Sequence, residues 1–385
     1  MPSAVIPLDR PEVGDAEVRA LRRVLDSGWL TQGPEVAAFE EELAEVVGAP
    51  VACAVSSGSA ALLLALGAVG AGRGAEVVTV SHSFIATADA IRMTGATPVF
   101  IDIDPASSNM DPALLGPAIS ARTVAVVCVH QMGMPADLAA ILPIAAEHGV
   151  AVIEDAACAV GSEILWGDRW EPIGRPHGMA ACFSFHPRKL VTTGDGGMVT
   201  TGDAGFDRQV RGARAHGMSV AAHARHEADK VTFETYDRPG FNFRLTDLQA
   251  AVGRVQLGRL AGSVQRRRVL AGRYHRLLAE IPTVGVAVEP PWARSNWQSY
   301  GVRLAEGLDQ RTVMQGLLDR GVASRRAVMC AHRERAYPPG SWRAGSELSH
   351  SEAAQDRGVL LPLYPQMSHA DQDLVVEALG AVCSR

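Results

Sequence analysis

The chain has 385 residues, of which 47% are hydrophobic and 20% are charged, and its formal net charge at pH 7 is −6. This length favours two lobes over a single core, and the negative charge argues against a nucleic-acid partner, because phosphate binding requires a concentrated positive surface. No apolar stretch approaches the roughly 18 residues needed to span a bilayer, and the first residues lack a signal-peptide pattern. We therefore expect a cytoplasmic protein without a membrane partner.

The first half of the chain alternates short β-branched runs with helical stretches, which predicts an α/β domain with a mostly parallel sheet. Seven strands are predicted, at Val51–Ser56, Glu76–Val80, Pro98–Ile103, Ala125–His130, Ala151–Asp155, Ala181–Phe185 and Gly197–Thr201. Helices are predicted at Pro34–Val47, Ser59–Val69, Ile85–Thr94, Pro112–Ile119, Leu138–Glu147 and Phe206–Ala215. The last two strands are too close in sequence for a crossover helix, so one of them is expected to run antiparallel.

A different pattern begins after a long polar loop at His216–Pro239. An apolar stripe that includes Leu248, Ala251 and Val255 predicts one long helix from about Thr246 to Ala279, which would join two lobes. The elements predicted after it are a strand at Ser299–Leu304, a helix at Gln310–Asp319, a strand near Val322–Ala327 and a closing helix from Ser368 with Asp371 in its first turn. We expect a large domain at residues 1–250, followed by the linking helix and a small α+β domain at residues 251–385.

Two residue types restrict the possible chemistry. The six cysteines are scattered without a CxxC pair, which argues against a disulfide framework or a structural zinc site, so no metal site is predicted. Only two lysines are present, Lys189 and Lys230, and the other 34 of the 36 basic residues are arginines. Any reaction that needs a side-chain amine therefore has two candidates. Lys230 lies in the polar loop, where a solvated role is expected.

Lys189 follows a predicted strand and precedes the glycine-rich segment Gly194–Gly197. Pro187 prevents the strand from continuing, so the lysine is expected in a loop beyond the strand end, where open α/β sheets place their active sites. A lone amine there, next to Arg188, could act as a nucleophile toward a carbonyl group.

The predicted strand at Ala151–Asp155 ends in two carboxylates. Because side chains alternate along a strand, Glu154 and Asp155 face opposite sides of the sheet. A carboxylate at a strand end can pair with a protonated pyridine nitrogen, and only one of these two could do so. Capping of the next helix is the alternative role for either residue.

The segment Ser56–Leu62 turns from a strand into an alanine-rich helix through Gly58. Backbone N–H groups and the positive end of the helix dipole make such a turn a possible phosphate site. The segment contains neither GxxxxGK[ST] nor GxGxxG, so it gives no support for a nucleoside triphosphate or a dinucleotide.

Together these segments resemble the DegT/DnrJ/EryC1/StrS family of sugar aminotransferases, within the fold-type I enzymes that use pyridoxal 5′-phosphate (PLP). The resemblance runs through nearly the whole chain, and its most specific part extends from Phe183 to Gly197. The other matching segments are Ser27–Pro34, Ser83–Ala88, Gly240–Ala251 and Leu361–Pro365. The implied fold is α/β, with a mostly parallel seven-stranded sheet in the large domain and a smaller α+β C-terminal domain.

The resemblance also implies the catalytic residues. Lys189 would hold PLP as a Schiff base and move protons, and Asp155 rather than Glu154 would pair with the pyridine nitrogen. The residues implied to contact the cofactor, in its PLP or pyridoxamine (PMP) form, are Gly58, Ser59, Ala60, Phe84, Asp155, Cys158, Ser184, Lys189 and Asn242.

Four of these contacts have specific implied roles. Phe84 would stack on the cofactor ring. The Ser184 hydroxyl would bind the cofactor phosphate together with Gly58, Ser59 and Ala60. Asn242 would reach the phosphate of the neighbouring subunit, which implies a homodimer with shared active sites. Cys158 stands in the region where many family members have Gln or His near the cofactor's 3-hydroxyl group, so this chain departs from the family pattern there.

The implied reaction is ping-pong transfer of an amino group from an amino acid, expected to be glutamate, to the keto group of a nucleotide-activated sugar. A keto-cyclitol from aminoglycoside biosynthesis is an alternative acceptor for the same machinery. A sugar dehydratase is less favoured, because relatives of that kind replace the Schiff-base lysine with histidine. A sugar-sensing regulator would need a DNA-binding segment or a degraded cofactor site, and the sequence shows neither.

Other polar residues near these motifs are weaker candidates. His130, at a strand end, is expected to be structural, whereas His186 is equally consistent with the cofactor pocket and with a plain strand end. Arg325 and Arg326 could meet a substrate phosphate, because a guanidinium fork suits that geometry. With 34 arginines in the chain, a solvated role remains the default expectation for both.

Overall fold

A computed structural model describes residues 5–220, 230–231 and 233–383 of the chain. The α-helices are α1 Asp15–Ser27, α2 Pro34–Val47, α3 Gly58–Ala68, α4 Ala86–Thr94, α5 Leu115–Ala118, α6 Leu138–Glu147, α7 Ala204–Arg214, α8 Asp247–Leu257, α9 Leu260–Leu278, α10 Gln310–Leu318, α11 Ser349–Arg357 and α12 His369–Cys383. Most of the predicted polar loop, residues 221–229 and 232, lies outside the described residues.

The strands form three sheets. They are β1 Val51–Val55, β2 Glu76–Val80, β3 Thr97–Ile101, β4 Thr123–Val129, β5 Ala151–Asp155, β6 Glu163–Trp166, β7 Arg169–Pro172, β8 Ala180–Ser184, β9 Gly197–Thr201, β10 Val284–Val286, β11 Ala293–Arg294, β12 Tyr300–Leu304, β13 Arg325–Arg326, β14 Arg343–Ala344 and β15 Gly358–Leu361. The largest sheet has eight strands in the order β1-β9-β8-β5-β4-β2-β3-β14.

The large sheet confirms the predicted α/β fold. All of its pairings are parallel except those of β9, which runs antiparallel to both β1 and β8. All seven predicted strands are present, and β9 is the expected antiparallel one. Core side chains on both sheet faces are buried by the surrounding helices, which explains why the strands read as continuous apolar runs rather than alternating ones.

The eighth strand was not predicted. β14 contains only Arg343 and Ala344, and it pairs in parallel with β3 at the edge of the large sheet. A two-residue strand carries no periodicity of its own, so its pairing is determined by tertiary contacts. The division at residue 250 remains a prediction, and β14 shows that the C-terminal part of the chain contributes to the large sheet.

The second lobe is built on a four-stranded antiparallel sheet in the order β10-β12-β15-β13. Its apolar side chains form a separate core with α9 and α12, in which Tyr274 and Tyr300 are buried with ring centroids 4.9 Å apart. The predicted cap of the last helix is present, because Ser368 and Asp371 exchange side-chain and backbone hydrogen bonds.

The single helix predicted from Thr246 to Ala279 is two helices. Thr246 caps the start of α8 in a capping box, in which the Gln249 side chain accepts a hydrogen bond from Thr246 N. The helix is then interrupted at Gly258 and Arg259, before α9 starts. The prediction of one continuous linking helix is therefore wrong. A glycine at this position lowers helix propensity enough to allow the break.

The N-terminal segment before α1 lies against the second lobe. Ile6 forms a parallel bridge with Val322, and Leu8 O accepts a hydrogen bond from Leu363 N. The Asp9 carboxylate pairs with the buried guanidinium of Arg267 at 3.0 Å. Within the described residues, no helix combines the length and apolar character required to cross a membrane.

Candidate active site

The predicted site residues lie at one edge of the large sheet. Strands β1, β2, β4, β5 and β8 run in the same direction, so their carboxyl ends meet at this edge. The turn before α3, the loop after β2, and the segments after β5 and β8 therefore converge. This is the edge at which open α/β sheets bind their ligands.

Lys189 lies in the turn after β8, as the sequence predicts. Its backbone N–H donates to His186 O at 2.8 Å, which closes the turn beyond Ser184. The half-buried side chain directs Nζ to the Sγ atom of Cys158 at 2.8 Å. The amine is therefore held at the strand-end edge by a soft, weakly hydrogen-bonding partner.

Cys158 is positioned by a residue that the sequence analysis missed. Asn296 is fully buried, and its Nδ2 donates to the carbonyl oxygens of Cys158 at 2.9 Å and Val160 at 2.8 Å. Its Oδ1 accepts from Gln298 N at 2.8 Å, and the Gln298 side chain in turn donates to Arg188 O at 2.9 Å. One short segment from the second half of the chain thus supports the segments on both sides of the amine.

Asp155 ends β5, and its side chain is almost fully buried. One carboxylate oxygen accepts from the Thr87 hydroxyl at 2.6 Å, and the other accepts from Ala157 N at 3.2 Å. Thr87 gives its only hydroxyl proton to Asp155, so Ser83, 2.8 Å away, must be the donor to Thr87. This chain of hydroxyls fixes the carboxylate and was also missed, although the segment Ser83–Ala88 carries part of the resemblance.

Glu154 lies on the opposite face of the sheet, as the alternation of side chains requires. It is fully buried and pairs with His130 Nε2 at 3.0 Å. His130 Nδ1 accepts from Ala136 N at 2.9 Å, so Nε2 carries the proton and donates to Glu154. Both ring nitrogens of His130 are satisfied, which matches the structural role expected for this residue.

The turn before α3 has the geometry of a phosphate cradle. Ser57 caps the helix by accepting from Ala60 N at 3.1 Å, and the N–H groups of Gly58 and Ser59 donate to no acceptor within the described residues. A Cβ atom at Gly58 would lie 2.8 Å from the Cβ of Ser184. Only glycine permits this close approach, which brings the Ser184 hydroxyl beside the helix start.

The remaining predicted contacts are less enclosed. Ser59 is exposed, whereas Ala60 is buried. Phe84 is 64% exposed, so a large aromatic face remains in solvent at the site edge. Asn242 is also exposed and forms an isolated bridge with Ala215, while the next residue, Phe243, accepts a hydrogen bond from Ser56 N at 2.8 Å.

His186 is exposed beside the Lys189 turn, and its Nδ1 accepts from Arg188 N at 3.2 Å. Partial burial lowers the pKa of His186, the nearby positive charges of Lys189 and Arg188 lower it further, and Asp195 opposes them. The imidazole is therefore neutral near pH 7, when it can accept the Arg188 hydrogen bond.

A separate cleft, with a volume of about 260 Å³, lies between β12 and loops of the large sheet. His82 borders this cleft and is 1% exposed, yet neither ring nitrogen has a hydrogen-bond partner within the described residues. Burial lowers the pKa of His82 to about 4, Arg303 contributes in the same direction, and Asp102 opposes the shift. His82 is therefore neutral under ordinary conditions.

Comparisons with known proteins agree with this arrangement. The chain is 38% identical over 378 residues to the spore coat polysaccharide biosynthesis protein SpsC of Bacillus subtilis (strain 168), covering 97% of this chain and 96% of that protein. The crystal structure of S. venezuelae DesV in complex with a ketimine intermediate matches with a TM-score of 0.89 and 32% identity over 100% of both chains. The PLP form of Spr1654 from Streptococcus pneumoniae matches with a TM-score of 0.89 and 25% identity over 99% of both chains.

The family model that matches residues 11–380 describes the DegT/DnrJ/EryC1/StrS aminotransferases. That match spans both lobes and includes every residue predicted for the site. The chain is therefore a member of the DegT/DnrJ/EryC1/StrS aminotransferase family.

Proposed function

We propose that this aminotransferase uses PLP to move an amino group from an amino acid, glutamate, to the keto group of a nucleotide-activated sugar. The observation that carries the proposal is the half-buried Lys189 amine at the strand-end edge, held 2.8 Å from Cys158 Sγ. An amine positioned in this way is available to a carbonyl group that enters from the sheet edge.

The residues around Lys189 fit the parts of this cofactor. The turn at Gly58 offers a phosphate the positive end of α3 and two backbone N–H groups that have no partner among the residues the structure describes. The exposed ring of Phe84 offers a flat apolar surface to a pyridine ring. Asp155, fixed by Thr87, offers a buried carboxylate to a protonated ring nitrogen.

The cofactor, when bound, supplies the electron sink for the reaction. In this proposal Lys189 Nζ binds the cofactor and moves the proton on its own side of the ring. Asp155 keeps the ring nitrogen protonated, and Ser184 with the Gly58 turn fixes the phosphate end. Cys158 holds the Lys189 side chain in place and would be a contact of the bound cofactor.

The names of similar proteins support the choice of substrate and cofactor. SpsC belongs to spore coat polysaccharide biosynthesis, DesV was crystallised with a ketimine intermediate, and Spr1654 has a PLP form. A sugar acceptor and a PLP-dependent amino transfer are consistent with all three. We further propose that two copies of the chain share their active sites, with Asn242 reaching the phosphate of the neighbouring subunit.

One absorbance measurement and one measurement of product mass test this function. The purified protein with added PLP should show an absorbance band near the violet edge of the visible range, and glutamate should bleach it as the cofactor accepts the amino group. The PMP form should then aminate a ketone from a panel of nucleotide ketosugars and keto-cyclitols, with product mass as the measurement. A band that no amino acid bleaches would refute the aminotransferase proposal, and amination of keto-cyclitols alone would refute the nucleotide-sugar substrate.

A further inference from the structure

Two arginines, Arg188 in the Lys189 turn and Arg325 in β13, form no ion pair within the residues that the structure describes. Arg188 is half-buried, and its guanidinium group makes no hydrogen bond or ion pair within the described residues, although its backbone carbonyl is held by Gln298. Arg325, in β13, is exposed and likewise has no side-chain partner among those residues. Arg326 differs from both, because its guanidinium group forms an ion pair with Glu334 at 3.1 Å.

Both arginines are neighbours of strand β15. Leu360 is the register partner of Arg325 in the sheet of the second lobe, and Leu360 and Arg188 line the same small cleft. Arg188 therefore extends from the large lobe toward the strand that carries Arg325. One arginine therefore belongs to the turn that carries Lys189, and the other belongs to the sheet of the second lobe.

Electrostatics supports this proximity. Burial lowers the pKa of Arg188, and the positive charge of Arg325 lowers it further. Asp9 opposes the shift, but its carboxylate is already paired with Arg267 at 3.0 Å. Arg188 also directly precedes Lys189, whose Nζ contacts Cys158 Sγ at 2.8 Å.

Two like charges that act on each other, and that form no ion pair of their own within the described residues, favour an anion between them. A guanidinium group suits an oxyanion because its planar fork can donate two parallel hydrogen bonds. Building on the proposed function, we propose that Arg188 and Arg325 form an oxyanion subsite beside Lys189. The oxyanion would be the carboxylate of the amino-acid donor or a phosphate of the sugar substrate.

The subsite would place the donor or acceptor with its reacting carbon toward Lys189. Because one arginine comes from each lobe, an anion bound between them would also fix the position of the second lobe relative to the large sheet. A substrate without a negative group at this distance would lose that contact. The proposed subsite therefore contributes to substrate specificity rather than to the chemical step.

The test uses the full-length enzyme loaded with PLP and compares Arg188→Met, Arg325→Met and Arg326→Met. Methionine retains an unbranched apolar side chain but removes the charge. In the first arm, glutamate is titrated and the bleaching of the cofactor band gives an apparent Kd and a rate at saturation. In the second arm, binding of inorganic pyrophosphate to the loaded enzyme is measured by calorimetry.

If the anion is the donor carboxylate, Arg188→Met should raise the apparent Kd for glutamate at least tenfold, with the rate at saturation within about threefold of wild type. If the anion is a substrate phosphate, the tenfold loss should appear in pyrophosphate binding instead. Arg325→Met should weaken the same ligand three- to tenfold, because Arg325 is exposed and more screened. Arg326→Met should change either affinity less than twofold.

The subsite proposal is wrong if Arg188→Met leaves both affinities within twofold of wild type. It is also wrong if Arg326→Met has the same effect as Arg325→Met, since that result would show only a general effect of surface charge. Failure of the proposed function gives a different result, in which the wild-type enzyme itself does not respond to amino acids. The pyrophosphate arm does not depend on turnover and would then still decide whether the two arginines bind an anion.

Discussion

His82 makes the stability of this enzyme depend on pH in a way that can be calculated from its surroundings. Its side chain is almost fully buried at the cleft between β12 and the large sheet, and its pKa is lowered to about 4, mainly by burial. In the unfolded chain the pKa of histidine is about 6.5. Between these two values the unfolded chain binds a proton that the folded chain does not.

The sign of the effect follows from that difference. The free energy of unfolding should fall as the pH drops below about 6.5, and the loss should be complete below about pH 4. At pH 5 the contribution lost is about 2 kcal/mol, and the full loss is about 3 kcal/mol, from about 1.4 kcal/mol for each unit between the two pKa values. Above about pH 7 His82 is neutral in both states and contributes no pH dependence.

The assay is urea unfolding of the wild type and of His82→Leu at pH 7, 6 and 5. Leucine does not titrate and suits the largely apolar cleft, so the difference between the two proteins isolates the His82 contribution from that of the carboxylates. The gap in unfolding free energy should shift by about 2 kcal/mol in favour of the variant between pH 7 and pH 5. An exposed histidine, His148, provides the control, because His148→Leu should follow the wild type in parallel. A His82→Leu curve parallel to wild type within about 0.5 kcal/mol would refute the reasoning.

Four further results are expected from the site geometry. Borohydride reduction should attach the cofactor covalently to Lys189 alone, and peptide mapping should identify this residue as the site of the adduct. Asp155→Asn should lower kcat by several orders of magnitude because the electron sink is lost, whereas Glu154→Gln should be milder. Thr87→Val should lower the unfolding free energy of the cofactor-free protein by about 1.5–3 kcal/mol, since it removes a 2.6 Å hydrogen bond to a buried carboxylate. Mixing Lys189→Ala with an inactive Asn242 variant should restore part of the activity, because one site of a mixed dimer carries neither change.

Each of these expectations has a clear contrary outcome. An adduct on Lys230 would remove Lys189 from its role, and near-normal turnover of Asp155→Asn would contradict the pairing with the ring nitrogen. A Thr87→Val protein as stable as wild type would show that the hydroxyl does not support Asp155. A mixture that stays inactive, although the subunits exchange and the Asn242 variant is inactive alone, would contradict the shared site.

The fold could be predicted largely from local patterns. The buried parallel strands appear as short β-branched runs, the turn through Gly58 into a helix is apparent from its residues, and the spacing of the last two strands predicts that one of them is antiparallel. The family could also be recognised, because its most specific residues lie in the single turn around Lys189. These features depend on residues close together in sequence, which is the information that periodicity and turn chemistry contain.

The missed features depend on contacts between distant parts of the chain. Asn296 supports Cys158 from 138 positions away, and Thr87 bonds to Asp155 from 68 positions away. A polar residue in such a role has no distinctive local pattern, because its partners become apparent only when the strands are assembled. The same reason explains why β14 was not predicted, whereas the break at Gly258 has a local cause in the low helix propensity of glycine.

The attachment of the N-terminal segment to the second lobe has a consequence for synthesis on the ribosome. Ile6 emerges first, but Val322, its partner in the bridge, is made about 300 residues later. At roughly 5–20 residues per second, that interval lasts roughly 15 to 60 seconds. During this time the backbone groups of Ile6 lack the hydrogen-bond partners that Gly321 and Ala323 supply in the folded protein. The N-terminal segment therefore completes its native pairing with the second lobe only after Leu363 has been translated.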